Sequence, residues 1–279
     1  MKKRIESDFH NYYNIIKMYI TRNDIYFFEN FAFEAISIEN NEKRLINILE
    51  KTETHFSQKI YKWEEIEFFE NVKKFLRINE NFIKIYEYFE NKKEFVIIMD
   101  YYENIDIKSF NIEDIRKLLI QLNQTFKIMV SNKIPIRCFK IENIIKYQNK
   151  YLFNYIESIR LNQGLIRNFV SNHAYSFKNA DFIAPELKKK MIMNPNSIEE
   201  YNIYDKCGLW SLGILIYTLI YKTKLLNKNY FDDYDNILEN QQKTGNKDLD
   251  DLMQQLLNIE PDKRITWDKY FSHPFFKNN

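Results

Sequence analysis

The stretch from Leu209 to Tyr221 constrains this chain more than any other, because Leu-Trp-Ser-Leu-Gly-Ile-Leu-Ile-Tyr-Thr-Leu-Ile-Tyr is apolar almost all the way round a helix. A surface helix needs only one apolar stripe, whereas a helix without a polar face has to be enclosed by other elements. The run is too short to cross a bilayer and carries Ser211 and Thr218, so it calls for a core large enough to surround it. A chain of 279 residues, 45% of them hydrophobic, can supply that core. Charge narrows the function classes: 41 Lys and Arg against 39 Asp and Glu leave a formal net charge of +2, which gives no electrostatic case for a nucleic-acid partner. Two cysteines, Cys138 and Cys207, without a Cys-x-x-Cys or a His at ligand spacing, point to free thiols rather than a disulfide framework or a zinc site. The first residues, Met1 to Asp8, are basic but lack the apolar core of a signal peptide, so a soluble, cytoplasmic protein with no membrane partner is expected.

The first half reads as strands around one helix. Ile25 to Phe28, Phe33 to Ile38 and Leu45 to Leu49 are β-branched or aromatic runs, the last two separated by the polar turn Glu39-Asn40-Asn41-Glu42. Trp63, Ile66, Phe69, Val72, Phe75 and Leu76 recur at helical spacing. Phe95 to Met99 has the continuity of a buried strand and opens into the polar Asp100 to Asn104. The second half is helical: Ile115, Leu118, Leu119, Leu122, Phe126, Met129 and Val130 mark one face of a long helix capped by Asn111, and the apolar run follows downstream. Strands, then helices, joined at a short polar hinge, predict an α+β bilobal domain.

Near the C-terminus the text becomes specific. Ala184-Pro185-Glu186, Leu209-Trp210-Ser211-Leu212-Gly213, Pro261-Asp262-Lys263-Arg264-Ile265-Thr266 and His273-Pro274-Phe275-Phe276 occur in the order and spacing of the C-lobe of protein kinases. Ile136-Arg137-Cys138-Phe139-Lys140-Ile141-Glu142-Asn143 resembles that family's catalytic loop, His-Arg-Asp-Leu-Lys-Pro-Glu-Asn. The resemblance, to a degenerate member of the eukaryotic protein kinase superfamily of Ser/Thr type, runs from about residue 20 to the end. It implies a bilobal kinase fold with a small strand-rich N-lobe over 21–98, a hinge over 99–104 and a larger helical C-lobe over 105–279, preceded by an extension over 1–20. It also implies a buried Glu186–Arg264 ion pair beside Trp210, Met99 at the gatekeeper position, and Tyr101 in the hinge.

Catalysis by this family is almost entirely positioning and electrostatics, so each missing part counts. A glycine-rich loop lets backbone approach phosphates; the matching Glu29 to Ile36 has Phe31, Phe33 and two carboxylates, Glu29 and Glu34, and no Gly. The chain has only four Gly in an Asn-, Ile- and Lys-rich composition, so a missing Gly weighs less than a carboxylate set beside a triphosphate. Asn47 stands where the third strand carries its phosphate-binding Lys, and the helix Glu that partners that Lys matches Glu70 better than Glu67. In the loop, Arg137, Lys140 and Asn143 persist, but the base position is Cys138, a thiol of ordinary pKa near 8.5 in place of a carboxylate. The metal-binding Asp-Phe-Gly maps to Ile156-Glu157-Ser158, with Glu157 the only surrogate ligand for a hard cation. The Asp expected two residues before Trp210, which in the family ties down the catalytic loop, is Gly208, and Asp205 lies too early to replace it.

The function implied is that of a pseudokinase: a binding, scaffolding or allosteric module without cofactors, whose partner is a protein such as an active kinase or a signalling substrate. The alternative is a divergent, active ATP-dependent Ser/Thr kinase with relocated parts, Glu157 on magnesium and Lys43 or Lys51 on the phosphates. Ser171 and Ser176 read as ordinary loop serines or as phosphorylation sites, and Lys188-Lys189-Lys190 as a solvated run or a contact for an anionic partner.

Overall fold

The computed structural model describes residues 2–4, 12–21, 30–50, 84–90, 94–105, 110–134, 136, 138–147, 149–155, 158, 181–193, 206–222 and 243–277. The chain divides into two compact units, Met1–Glu103 with Ile145–Leu152, and Asn104–Ile144 with Phe153–Asn279.

In the first unit a six-stranded sheet has the order β1-β5-β6-β4-β3-β2, built from β1 (Lys2–Arg4), β2 (Tyr13–Thr21), β3 (Asn30–Ser37), β4 (Lys43–Glu50), β5 (Ile85–Glu90) and β6 (Glu94–Asp100). All pairings are antiparallel except β1 with β5. The turn joining β3 to β4 is the expected one: Asn41 takes φ 55°, the left-handed conformation that Asn tolerates better than most residues, and its N–H donates to the Ser37 carbonyl. That turn fixes the register, so that Glu34 faces Leu45 and Ala32 faces Asn47. Alternation of side chains then sorts the sheet into two faces. Tyr13, Ala35, Ile46, Phe89, Val96 and Ile98 form a core on one face, with Ile15, Phe33 and Ile48 packed against it. Leu45, Asn47, Ile97 and Met99, also buried, belong to the other.

Tyr13–Thr21, most of which falls in the extension expected over 1–20, is an edge strand of this sheet. Its pleat is broken by a register shift between Ile15 and Lys17, and this shift scrambles the alternation by which a strand is recognised in sequence. The expected strand at Ile25 to Phe28 and the helix from Trp63 to Leu76 lie outside the described residues.

A second sheet has the order β7-β8-β9, from β7 (Glu103–Asn104), β8 (Ile144–Tyr147) and β9 (Lys150–Phe153). In the second unit α1 spans Ile112–Ser131, and its start is the predicted one: Asn111 accepts from the Asp114 N–H while Asp114 accepts from the Asn111 N–H, a reciprocal capping box. Helices α2 (Pro185–Met193), α3 (Cys207–Tyr221), α4 (Lys247–Leu256) and α5 (Trp267–Phe271) follow. Every residue of α3 from Cys207 to Ile216 is buried, as its lack of a polar face requires. Phe126 of α1 closes the base of this core, its ring 5.2 Å from Phe153, 5.8 Å from Phe139 and 5.6 Å from Trp267.

Candidate functional site

The segment after α1 carries the first group of candidate residues. Cys138 has no solvent exposure, and Phe139 beside it is equally buried, its ring edge-on to Phe153 at 5.2 Å. The Cys138 carbonyl accepts from the Ser158 hydroxyl at 3.4 Å, which ties the loop to the residues following β9. A one-turn 3-10 helix, Ile141–Asn143, ends the loop. Asn143 is fully buried, and its Oδ1 accepts from the Lys140 N–H at 2.7 Å. That donor fixes the carboxamide with its oxygen toward the loop's own backbone. Its Nδ2 is buried with no hydrogen-bond partner among the described residues. The Asn143 carbonyl accepts from the Asn154 N–H at 2.7 Å, and Asn154 and Tyr155 are both buried. The Lys140 ammonium stands 4.0 Å from Glu142.

A separate group of candidate residues lies on the sheet of the first unit. Asn47 is buried and its Nδ2 donates to the Met99 sulfur at 3.4 Å, so the carboxamide is laid across from β4 to β6. Where the resemblance led one to expect a charged ammonium, the strand offers a neutral amide engaged with the Met99 side chain. From Asn30 onward the chain is not a loop but β3, paired on both sides, with Phe31 opposite Ile20 and Ile48 and Glu34 opposite Lys17 and Leu45. Glu34 is buried and accepts from the Lys43 ammonium at 2.9 Å. That hydrogen bond, and then the charge behind it, holds Lys43 above its ordinary pKa. The same ammonium lies 5.1 Å from the Tyr101 ring, a cation–π contact.

Sequence reasoning missed a polar network at the end of β6. Asp100 and Arg44, both buried, are opposite each other in the β4–β6 register. The Tyr86 hydroxyl donates to Asp100 Oδ1 at 2.6 Å, the Arg44 guanidinium lies 3.8 Å from the Tyr86 ring centre, and Arg44 also bonds Glu42. Burial, then the hydrogen bond and charge of Asp100, push the Tyr86 phenol up, and the same causes push Tyr147 up to about 12. The available signal was Arg44 and Asp100 at the polar ends of two apolar runs, which shows as a pair only once the register is known.

The anchor in the second unit stands as the family text describes it. Arg264 is 1% exposed and grips Glu186 with both terminal nitrogens, at 2.7 and 2.9 Å. Its remaining donors reach the Asn258 carbonyl at 2.9 Å and the Lys206 carbonyl at 3.1 Å, and its guanidinium lies 5.3 Å from the Trp210 ring. Two residues after Glu186, Lys188 is buried rather than solvated, against the sequence reading of the three-lysine run. Burial lowers its pKa to about 8, with Asp181 and Cys138 pulling the other way. Burial likewise pushes the Cys207 thiol well up, and neither cysteine is in a disulfide. Glu29, Lys51, Glu70, Arg137, Ile156, Glu157, Ser171, Ser176 and Asp205 lie outside the described residues. Among the described residues no helix is long and apolar enough to cross a membrane.

Comparison with known proteins places these features in a family. The family model described as "Protein kinase domain" matches residues 31–276. The serine/threonine-protein kinase cds1 of Schizosaccharomyces pombe is 26% identical over 265 residues, which cover 87% of this chain and 52% of that protein. A "probable inactive serine/threonine-protein kinase" of Dictyostelium discoideum is 32% identical over 100 residues, 31% of this chain and 12% of that protein. The crystal structure of Rad53 residues 1–466 with AMP-PNP superposes with a TM-score of 0.66 at 15% identity, covering 95% of this chain and 65% of that one. The chain thus spans about half the length of the first of these relatives and a small part of the second.

Proposed function

The chain belongs to the protein kinase family, and from that premise we propose that it is a pseudokinase, a kinase-fold domain that works by binding or allostery rather than by phosphoryl transfer. One observation carries the reading. At the position where the family needs a carboxylate beside the substrate hydroxyl, Cys138 presents a thiol with no solvent exposure. The donor set also fits Mg·ATP poorly: Asn47 is uncharged and turned onto Met99, and the carboxamide oxygen of Asn143 is taken by the Lys140 N–H. Between Asn143 and Asp181 the sequence contains a single carboxylate, Glu157, and no Gly precedes Gly164, so neither deficit depends on how the loops are aligned. The domain would act in the cytoplasm on a protein partner, an active kinase or a signalling substrate.

The second reading, an active Ser/Thr kinase with relocated ligands, is favoured by the names of relatives such as cds1. Thermal denaturation with and without magnesium and ATP separates the two, since a ligand at 100 times its Kd adds about 2.7 kcal/mol. The pseudokinase reading expects no shift and no transfer of labelled phosphate. Clear stabilisation together with transfer that disappears in Asn143→Ala would overturn it.

A further inference from the structure

Two backbone segments distant in sequence meet on the first two turns of α3. The Trp210 indole N–H donates to the Asp181 carbonyl at 2.8 Å. Ser211, 1% exposed, donates its hydroxyl proton to the Phe182 carbonyl at 2.8 Å and accepts from the Phe139 N–H at 3.2 Å. A hydroxyl has one proton and two lone pairs. The shorter contact to Phe182 takes that proton in preference to the Cys207 carbonyl at 3.3 Å, which leaves the lone pairs for the Phe139 N–H. One oxygen atom is therefore acceptor for the loop and donor for the segment that leads into α2.

Gly208 adds the second observation. A Cβ at that position would lie 2.4 Å from the Ile136 carbonyl oxygen and 2.8 Å from Ile136 Cγ2. Real Cβ atoms do not approach so closely, so the loop backbone rests directly on the helix and no side chain fits between them. The expected Asp is therefore more than missing, because the space its side chain would need is filled by the loop itself.

We propose that Ser211 is a positioning residue that couples the loop 136–143 to the segment 181–186, with Gly208 supplying the close approach, so that the two segments open and close as one unit. A partner that displaces the segment displaces the loop with it. The coupling stands whether or not the chain binds nucleotide, because every group in it is backbone or α3.

Hydrogen exchange on the intact chain, read in peptides covering 136–143, 181–186 and 212–219, tests this. In the unmodified protein the first two peptides are expected to show protection within about threefold of each other, as members of one opening unit. Ser211→Ala leaves the Phe139 N–H and the Phe182 carbonyl buried without that partner, and should accelerate exchange in both segments by about tenfold while 212–219 is unchanged. Gly208→Asp should lower the melting temperature by forcing Ile136 away. Protection of the two segments differing by more than about tenfold in the unmodified chain would sink the proposal without recourse to any variant. So would acceleration of only one segment in Ser211→Ala, or a rise in melting temperature in Gly208→Asp.

Discussion

Lys188 shows how a single residue can reverse an expectation drawn from sequence. In the text it is the first of three lysines after an anchoring motif, a pattern that usually marks solvated surface; in the fold its side chain is buried, with Asp181 and Cys138 in its electrostatic surroundings. Its pKa falls to about 8 from the ordinary 10.5, so between those values the unfolded chain holds a proton that the folded chain does not. Stability therefore rises as pH increases through this window, by roughly 3 kcal/mol at most at about 1.4 kcal/mol per pKa unit. Cys207 works in the opposite sense, since its raised thiol stays protonated in the fold while the unfolded thiol ionises. Urea unfolding of the parent and of Lys188→Met from pH 7.5 to 10 isolates the lysine, because the Cys207 contribution is common to both. The parent is expected to gain stability relative to the variant as pH rises; parallel curves would refute the burial. Cys138 and Asn143 were legible because the loop around them keeps its family wording. Glu34 was not, because its place depends on a hairpin register that one Asn in the left-handed region sets.

At the scale of elements, legibility followed periodicity. α1 and α3 declare themselves through an apolar stripe with a capping Asn and through an unbroken apolar surface; β4 and β6 do so as continuous apolar runs bounded by polar turns. The strand β2 stayed hidden behind its bulge, and the Arg44–Tyr86–Asp100 network depends on β4 and β6, which are neighbours in space but not in sequence. The tie between α2 and the turn before α5 was legible as text, and its energetics can be stated. Arg264 is desolvated and bidentate on Glu186, so truncating the carboxylate strands a buried guanidinium with two carbonyl contacts. Glu186→Ala should cost about 3–5 kcal/mol in chemical denaturation. Replacing both partners with Met should cost less than the sum of the single changes, because no buried charge is left alone. A loss under about 1 kcal/mol for Glu186→Ala would show that the pair is solvated in solution.

Over the whole molecule, the proposed pseudokinase reading rests on a difference in physical role. Groups that bury apolar surface or tie one segment to another are present and satisfied: the α3 core, the Glu186–Arg264 pair, the Ser211 junction and the apolar face of the six-stranded sheet. Of the positions matched to triphosphate binding and proton transfer, Asn47 is a neutral amide and Cys138 a buried thiol, whereas Lys140 and Asn143 keep the family's residues. Selection for a fold preserves the first class regardless of chemistry, which fits a domain valued for its surface. The same logic extends to the N-terminal strands. Tyr13 is 6% exposed within the core that includes Ala35, Ile46 and Phe89, and its hydroxyl donates to buried Glu87 on β5. Removing residues 1–21 strips β1 and β2 from opposite edges of the sheet and uncovers that core, at about 1.5–3 kcal/mol for each large apolar side chain exposed. Hydrogen exchange on the shortened chain should show β3, β4 and β6 losing protection, with the largest losses at Ala35, Ile46 and Ile98, while α3 keeps its slow amides. Unchanged protection across β3 to β6 would mean that these strands are an appendage to the domain, and that the kinase-like sheet is complete from residue 30 onward.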